Sequence, residues 1–310
     1  MLLEPATIQA LQDLLADASA NRSRISAVKL QAFDRVIEYT PEDMVVTVQT
    51  GITLVTLQNA LRKYGQWLPI DPPDPTVTIA EIISGNLSGP RRLGFGTIRD
   101  HLLGLSALLA DGTRISGGGK VVKNVAGFDL PKLFVGAQGS LGIPIEASFK
   151  LLPMPELEEF AAATFESVEE AGPVIDRFAE NKIWPSNLDI YRLEGLGGVR
   201  LLAGFTGARE DVEAHIKKAT NFGLAEKGSI EEQNLFWEKD TARQKCSVLP
   251  SVLLTTVEQI KPDTFLARAG NGILYHRGGE NHLRSTQAPE LMKRLKDAYD
   301  PYGILPEFAL

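Results

Sequence analysis

The chain has 310 residues, 44% hydrophobic and 23% charged, with a formal net charge of −7. This composition excludes disordered and fibrous classes, and the length suffices for two domains, each with its own core. Acids and bases are mixed along the chain, so the clustered Lys/Arg surface that nucleic acid requires is missing and no nucleic-acid partner is expected.

In chain order, Leu11, Leu14 and Leu15 give helical spacing down to Ala18, with Pro5 placed in the first turn. The early acids and the lack of a basic, then apolar, leader argue against a secretory signal, and the expected location is cytoplasmic. Phe33–Tyr39 and Met44–Gln49 read as strands joined by a turn at Thr40–Asp43, and Thr53 caps a helix through Leu57 and Leu61 to Tyr64. Four prolines between Leu68 and Thr76 demand extended chain. Strands are then expected at Leu102–Ala110, Thr113–Ser116 and Ile143–Leu152. The stretch Leu102–Ala110 is too short to span a bilayer.

Leu152–Glu156, with its two prolines, marks the expected domain boundary, giving domains 1–153 and 154–310. Beyond it, helices are expected at Val168–Glu180, Glu210–Phe222 and Pro289–Tyr299. Strands are expected at Leu188–Leu193, Val199–Phe205, Val252–Val257 and Gly272–His276. That alternation predicts an α+β layer with an antiparallel sheet.

Nearly half of the 28 glycines fall between Ser84 and Gly142, which requires repeated tight turns or close backbone approach. Gly117-Gly118-Gly119-Lys120 lacks the earlier glycine of a phosphate-binding P-loop. Gly136, Gly139 and Gly142 lack the close first pair of a dinucleotide fingerprint and precede a strand rather than a helix. The one cysteine, Cys246, closes no intrachain disulfide and cannot alone hold a metal or an iron–sulfur cluster; it reads as a structural residue, and no metal is expected.

Four runs carry a resemblance: VIEYTPEDMVVTVQTGITL (Val36–Leu54), LSGPRRLGFGTIRDHLLG (Leu87–Gly104), GGGKVVKNVAGFDLPKLFVGAQGSLG (Gly117–Gly142) and DPYGILP (Asp300–Pro306). The chain resembles FAD-binding subunits of the bacterial glycolate oxidase E type, within the vanillyl-alcohol-oxidase-like, PCMH-type FAD family. The likeness is dense over residues 5–155 and thin beyond. It implies an FAD-binding domain of two α/β subdomains followed by an α+β cap domain. It also implies that FAD is held through Ser84, Gly85, Ser88, Gly89, Arg99, Asp100, Gly139, Ser140, Leu141, Gly142 and Ile143. Lys123, Asn124 and Asp129 match positions that fix the central loop, either by turn chemistry or by cofactor contact.

The departures bear on the cofactor. No glycine stands between Ala20 and Ile25, where the family carries a glycine-rich phosphate loop. Ala80 and Glu81 replace a second glycine pair, and Pro144 removes an amide donor. Arg22, Arg24, Arg91 or Arg92 could supply charge in place of the lost amides; otherwise the chain has stopped binding flavin.

Oxidising a 2-hydroxy acid needs a base for the hydroxyl proton, a cation for the carboxylate and a hydride acceptor. His276 is the candidate base and Arg277 or Arg268 the candidate clamp, against a plain reading of Tyr275–His282 as a solvated loop. His101 and His215 read as structural. The resemblance implies a flavoprotein homologue and an iron–sulfur subunit as partners, with the complex peripheral to the inner membrane face. Two functions stand. One is an FAD subunit oxidising glycolate or a similar small 2-hydroxy acid, and the other is a flavin-less, non-catalytic scaffold of the same complex.

Overall fold

The computed structural model describes residues 1–119, 129–238, 243–280 and 290–307. The elements begin with β1 (Leu2–Leu3), α1 (Ile8–Ala20), β2 (Ala27–Val28), β3 (Val36–Thr40), β4 (Val45–Gln49) and α2 (Leu54–Arg62). Next come β5 (Gln66–Trp67), α3 (Ile79–Gly85), α4 (Arg92–Phe95), α5 (Ile98–His101), β6 (Leu102–Leu108), β7 (Arg114–Gly118) and α6 (Pro131–Phe134). Then follow β8 (Ile143–Lys150), β9 (Leu152–Pro153), β10 (Leu157–Phe165), α7 (Val168–Glu180), β11 (Asn187–Arg192), β12 (Val199–Gly207) and α8 (Arg209–Asn221). The last are β13 (Glu226–Lys227), α9 (Asn234–Trp237), β14 (Gln244–Ser247), α10 (Leu253–Ile260), β15 (Thr264–Arg268), β16 (Ile273–Arg277) and α11 (Glu290–Tyr299). None of the described helices is long and apolar enough to cross a membrane.

The chain divides into two compact units that interleave in sequence. The first takes the described parts of 1–88, 97–154 and 285–310; the second takes 89–96 and those of 155–284. The C-terminal helix α11, expected in the second domain, belongs to the first unit because Leu295 and Tyr299 pack on its core and Tyr299 meets Phe134 edge-on at 6.3 Å.

The first unit has two cores. A five-stranded antiparallel sheet, β3-β4-β8-β6-β7, packs against α2 and α3 through Leu57, Leu61, Ile79, Ile82 and Ile83. The parallel pair β1-β2 and helix α1 build the second core from Leu3, Leu11, Leu15, Ile25 and Phe33, closed by Ile304 and Leu305. Helix α1 starts later than Pro5 suggests: Thr7 is its cap, accepting from the Ala10 amide at 3.1 Å, and this side-chain acceptor fixes the first turn. Thr53 caps α2 as expected, accepting from the Thr56 amide at 3.3 Å.

The second unit is an antiparallel sheet in the order β13-β10-β12-β11-β15-β16-β14. Helices α7, α8 and α10 cover one face through Val174, Phe178, Val212, Ala219, Leu253 and Val257. The segment Val252–Val257, expected as a strand, is instead helical: Val252 ends a 3₁₀ turn and Leu253–Val257 begin α10. Leu253, Val257 and Ile260 recur at helical spacing, and burying that stripe outweighs the β preference of its Val and Thr residues.

Candidate functional site

In the first unit, a cavity of about 380 Å³ is walled by residues 25–31, by Thr78, Ala80, Glu81 and Ser84, by Gln138, Gly139, Gly142, Ile143 and Pro144, and by Leu305 and Pro306. One wall is the loop entering β8. Gly139 has φ +76°, and a Cβ built there would meet nothing within 4 Å. The amides of Gly139 and Leu141 make no hydrogen bond among the described residues. Two amides with no acceptor among the described residues, beside an open, side-chain-free backbone, form a cradle that fits an anionic group such as a phosphate. Gly142 serves the fold instead, because a Cβ there would lie 2.6 Å from the Leu108 carbonyl oxygen. Ser140 and Leu141 are buried. The Ser140 hydroxyl donates to the Ala137 carbonyl at 2.6 Å, and Leu141 joins the core.

The opposite wall differs from expectation. Ser84 and Gly85 end helix α3, and Asn86 closes it in the left-handed region at φ +46°. The carbonyls of Ile83 and Ser84 accept from the Gly136 and Gln138 amides at 2.9 and 2.8 Å, which ties α3 to the cradle loop. At its start, the amides of Ile79, Ala80 and Glu81 donate to Ile52 O, Thr50 O and Thr78 Oγ1. Glu81 turns its carboxylate back to the Thr78 amide and hydroxyl at 2.7 and 2.8 Å, completing a capping box. This end of α3 therefore offers no amide to a ligand, and Glu81 brings a negative charge to the wall. The signal was present in the sequence as Thr78-x-x-Glu81.

The remaining expected positions lie off this cavity. Ser88 and Gly89 stand where the chain passes from the first unit to the second. Arg99 donates to the Lys132 carbonyl at 3.3 Å, and Asp100 accepts from the Thr97 amide and hydroxyl at 2.8 and 3.1 Å, so both serve local structure around α5. Burial acts to raise the Asp100 carboxyl, but the Thr97 bonds and the charges of His101 and Lys132 hold it below the usual range. Asp129 pairs with Lys132 at 2.8 Å, while Lys123 and Asn124 lie outside the described residues. None of the four arginines expected to supply charge lines the cavity. Arg22 lies over the Tyr302 ring at 5.3 Å, Arg24 pairs with Glu307 at 3.7 Å and Arg91 binds Glu158 at 2.6 Å. The cation in the wall is Lys29, which sequence reasoning did not single out; it also bonds Glu4 at 2.6 Å.

In the second unit, strand register sorts the candidate catalytic residues onto the two faces of the sheet. His276 pairs with Phe265 and shares the helix-covered face; it is buried, with Nδ1 3.0 Å from the Gly278 carbonyl oxygen. Arg268 lies on the other face but is engaged, donating to Asp189 at 2.7 Å and Gln233 at 2.5 Å in a buried network. Arg277, on the same face, donates to the Phe236 carbonyl at 2.6 Å and stacks over its ring at 4.4 Å. His101 is buried in α5, and His215 stacks on Phe205 at 5.3 Å.

That same face holds a cluster that sequence reading missed. Lys245 pairs across the ladder with Tyr275 and sets its ammonium 5.8 Å from the ring centre. Neither Lys245 nor Arg92 forms an ion pair among the described residues. Desolvation first and the Arg92 charge second hold the Lys245 amine below its usual range. Burial raises the Tyr275 phenol, against the pull of Arg268 and Arg92. Two cations that pair with no carboxylate among the described residues, beside a phenol, can receive a small carboxylate. Among the described residues, no group of His, Cys, Asp and Glu is arranged to hold a metal ion.

Residues 13–118 match the family model described as an FAD binding domain. Glycolate oxidase subunit GlcD of Bacillus subtilis is 37% identical over 157 residues, 50% of this chain and 33% of that protein. Glycolate oxidase subunit GlcE of Escherichia coli is 41% identical over 122 residues, 39% of this chain and 35% of that protein. A probable mitochondrial D-lactate dehydrogenase of Danio rerio is 34% identical over 177 residues, covering 56% and 34% of the two chains. The matches thus span about a third of the length of each of these relatives. Two crystal forms of alkyldihydroxyacetonephosphate synthase share the fold, with TM-scores of 0.70 and 0.72 at 16% and 15% identity. They cover 98% and 100% of this chain and 75% and 77% of theirs.

Proposed function

From the premise that the chain carries an FAD-binding domain of the PCMH type, similar in sequence to glycolate oxidase subunits, we propose that it is the FAD-binding subunit of a glycolate oxidase-type complex acting on a small 2-hydroxy acid. The observation that carries this reading is the cradle in the first unit, where the open backbone at Gly139 and the amides of Gly139 and Leu141 suit a cofactor phosphate. Lys29 adds a cation to the same cavity. When bound, FAD supplies the acceptor for the hydride of the hydroxy acid. In the second unit, Arg92 and Lys245 hold the substrate carboxylate, a role that Arg268 meets less well because Asp189 already neutralises it. Electrons leave through a flavoprotein homologue and an iron–sulfur subunit, because Cys246 alone cannot build a cluster.

A second reading, a non-catalytic scaffold of the same kind of complex, is favoured by the wall at α3, where Glu81 adds negative charge and the amides are already engaged. The visible spectrum of the purified protein separates the two. Flavin bands, present as isolated or after FAD is added, and bleached by glycolate or D-lactate in the assembled complex, support the first reading. A colourless protein that takes up no FAD refutes it.

A further inference from the structure

The cradle loop is held from outside the cavity by one side chain. The ammonium of Lys296 on α11 donates to Asp300 Oδ2 at 2.6 Å and lies 3.1 Å from the Ser140 carbonyl oxygen. It also lies 3.2 and 3.1 Å from those of Leu305 and Pro306. The Lys296 side chain is only 14% exposed and that of Asp300 is fully buried. Asp300 in turn accepts from the Ile304 and Leu305 amides at 3.0 and 2.9 Å, folding residues 300–305 into a tight turn. Ser140 is the neighbour of both Gly139 and Leu141, whose amides meet no acceptor among the described residues, and Leu305 and Pro306 themselves line the cavity. A single ammonium therefore ties together the C-terminal segment and the loop of the cradle.

We propose that Lys296 is a positioning residue for FAD: it holds the Gly139–Gly142 loop in the geometry that accepts the cofactor phosphate, so that cofactor binding and docking of the 290–306 segment are coupled. This rests on the reading of the cavity as the FAD site. Three acceptors of Lys296 are backbone carbonyls that accept no other hydrogen bond among the described residues, and removing the ammonium leaves them, with Asp300, without their shared donor. The loop then samples other arrangements, and affinity falls in proportion to the fraction of time it spends in the accepting one. Coupling of this kind is reciprocal, so FAD must also tighten the segment that holds the loop.

The test compares wild type, Lys296→Met and Lys296→Arg as full-length apoproteins. FAD affinity is read from quenching of flavin fluorescence, and stability from the thermal midpoint without FAD. Lys296→Met should weaken FAD binding about ten-fold if the loop keeps its accepting geometry about a tenth of the time. Lys296→Arg, which keeps the charge, should recover part of the loss. A purely structural lysine would lower the thermal midpoint and leave the FAD affinity of the folded variant unchanged, which overturns the proposal. Hydrogen exchange on wild type needs no variant: FAD should protect residues 290–304, which lie outside the cavity lining, as well as the wall, and protection confined to the wall also overturns it. A wild type that takes up no FAD refutes the cavity assignment itself and this proposal with it. A wild type that binds FAD while Lys296→Met binds it equally refutes the positioning role alone.

Discussion

Replacing Arg268 with methionine distinguishes a structural cation from a substrate clamp. Arg268 and Asp189 have side chains only 5% and 1% exposed and meet at 2.7 Å, with Gln233 bridging to both partners. Removing one member of such a buried pair leaves an uncompensated charge and costs about 3–5 kcal/mol. At about 2–4 °C per kcal/mol, the thermal midpoint should fall by roughly 6–20 °C. Asp189→Asn in the same background should recover part of that loss, because the neutral amide needs no counter-charge. The pH dependence has a definite sign. Burial outweighs the Arg268 charge and already holds the Asp189 carboxyl above its usual range, and Arg268→Met pushes it further up. A raised folded value means stability that is present at low pH and lost as pH rises through that value, so the variant should suffer least in acid and most near neutrality. Calorimetry of wild type, both single variants and the double variant across that range is the assay. A midpoint within about 2 °C of wild type, combined with a large rise in KM for the hydroxy acid, would refute the structural assignment.

Three further outcomes are expected. Gly139→Ala should cost about 1–2 kcal/mol from its left-handed backbone and weaken FAD binding, measured by thermal melts and fluorescence titration. Glu81→Gln keeps an acceptor for the Thr78 cap but removes a like charge from the cavity wall. For unit charges taken as ~8 Å apart at an effective dielectric of ~20–40, Coulomb's law gives ~1–2 kcal/mol, so FAD should bind about ten-fold tighter. Lys245 has a lowered folded value, so the unfolded chain binds the extra proton and stability rises with pH as that proton is lost; Lys245→Met should flatten this rise on the alkaline side, as pH climbs toward the ordinary lysine value, in urea melts.

Much of the fold was legible because it depends on local periodicity and caps. Thr53 announced α2, and helix α7 begins at Val168 and ends at Glu180, where the alternation of apolar and charged residues placed it. Helix α3 was hidden because proline on one side and glycine on the other suggested a loop, although the capping pair Thr78 and Glu81 was in view. In sequence Glu81 stands only as the replacement of a glycine; its carboxylate turns back onto the Thr78 amide, and only the fold reveals that its charge is partly satisfied. Arg268 looked like a clamp because its partner Asp189 lies 79 positions away, across a strand pairing that no local pattern encodes. Lys296 was invisible for the same reason: its contact with Ser140 spans 156 positions and involves only a carbonyl, which carries no residue identity.

The interleaving of the two units has a consequence for synthesis on the ribosome. Apart from residues 89–96, the second unit is contiguous in sequence and needs nothing translated after Arg284. The first unit needs the backbone bond from Ile25 to Ile304 and the burial of Ile304 and Leu305 in the cluster that holds Leu3 and Leu11 before its α1 core is closed. The portion translated first is therefore the portion completed last. Until residues 290–306 emerge, Leu11, Leu15 and Ile25 remain partly uncovered, an exposed apolar surface of the kind that nascent-chain chaperones recognise.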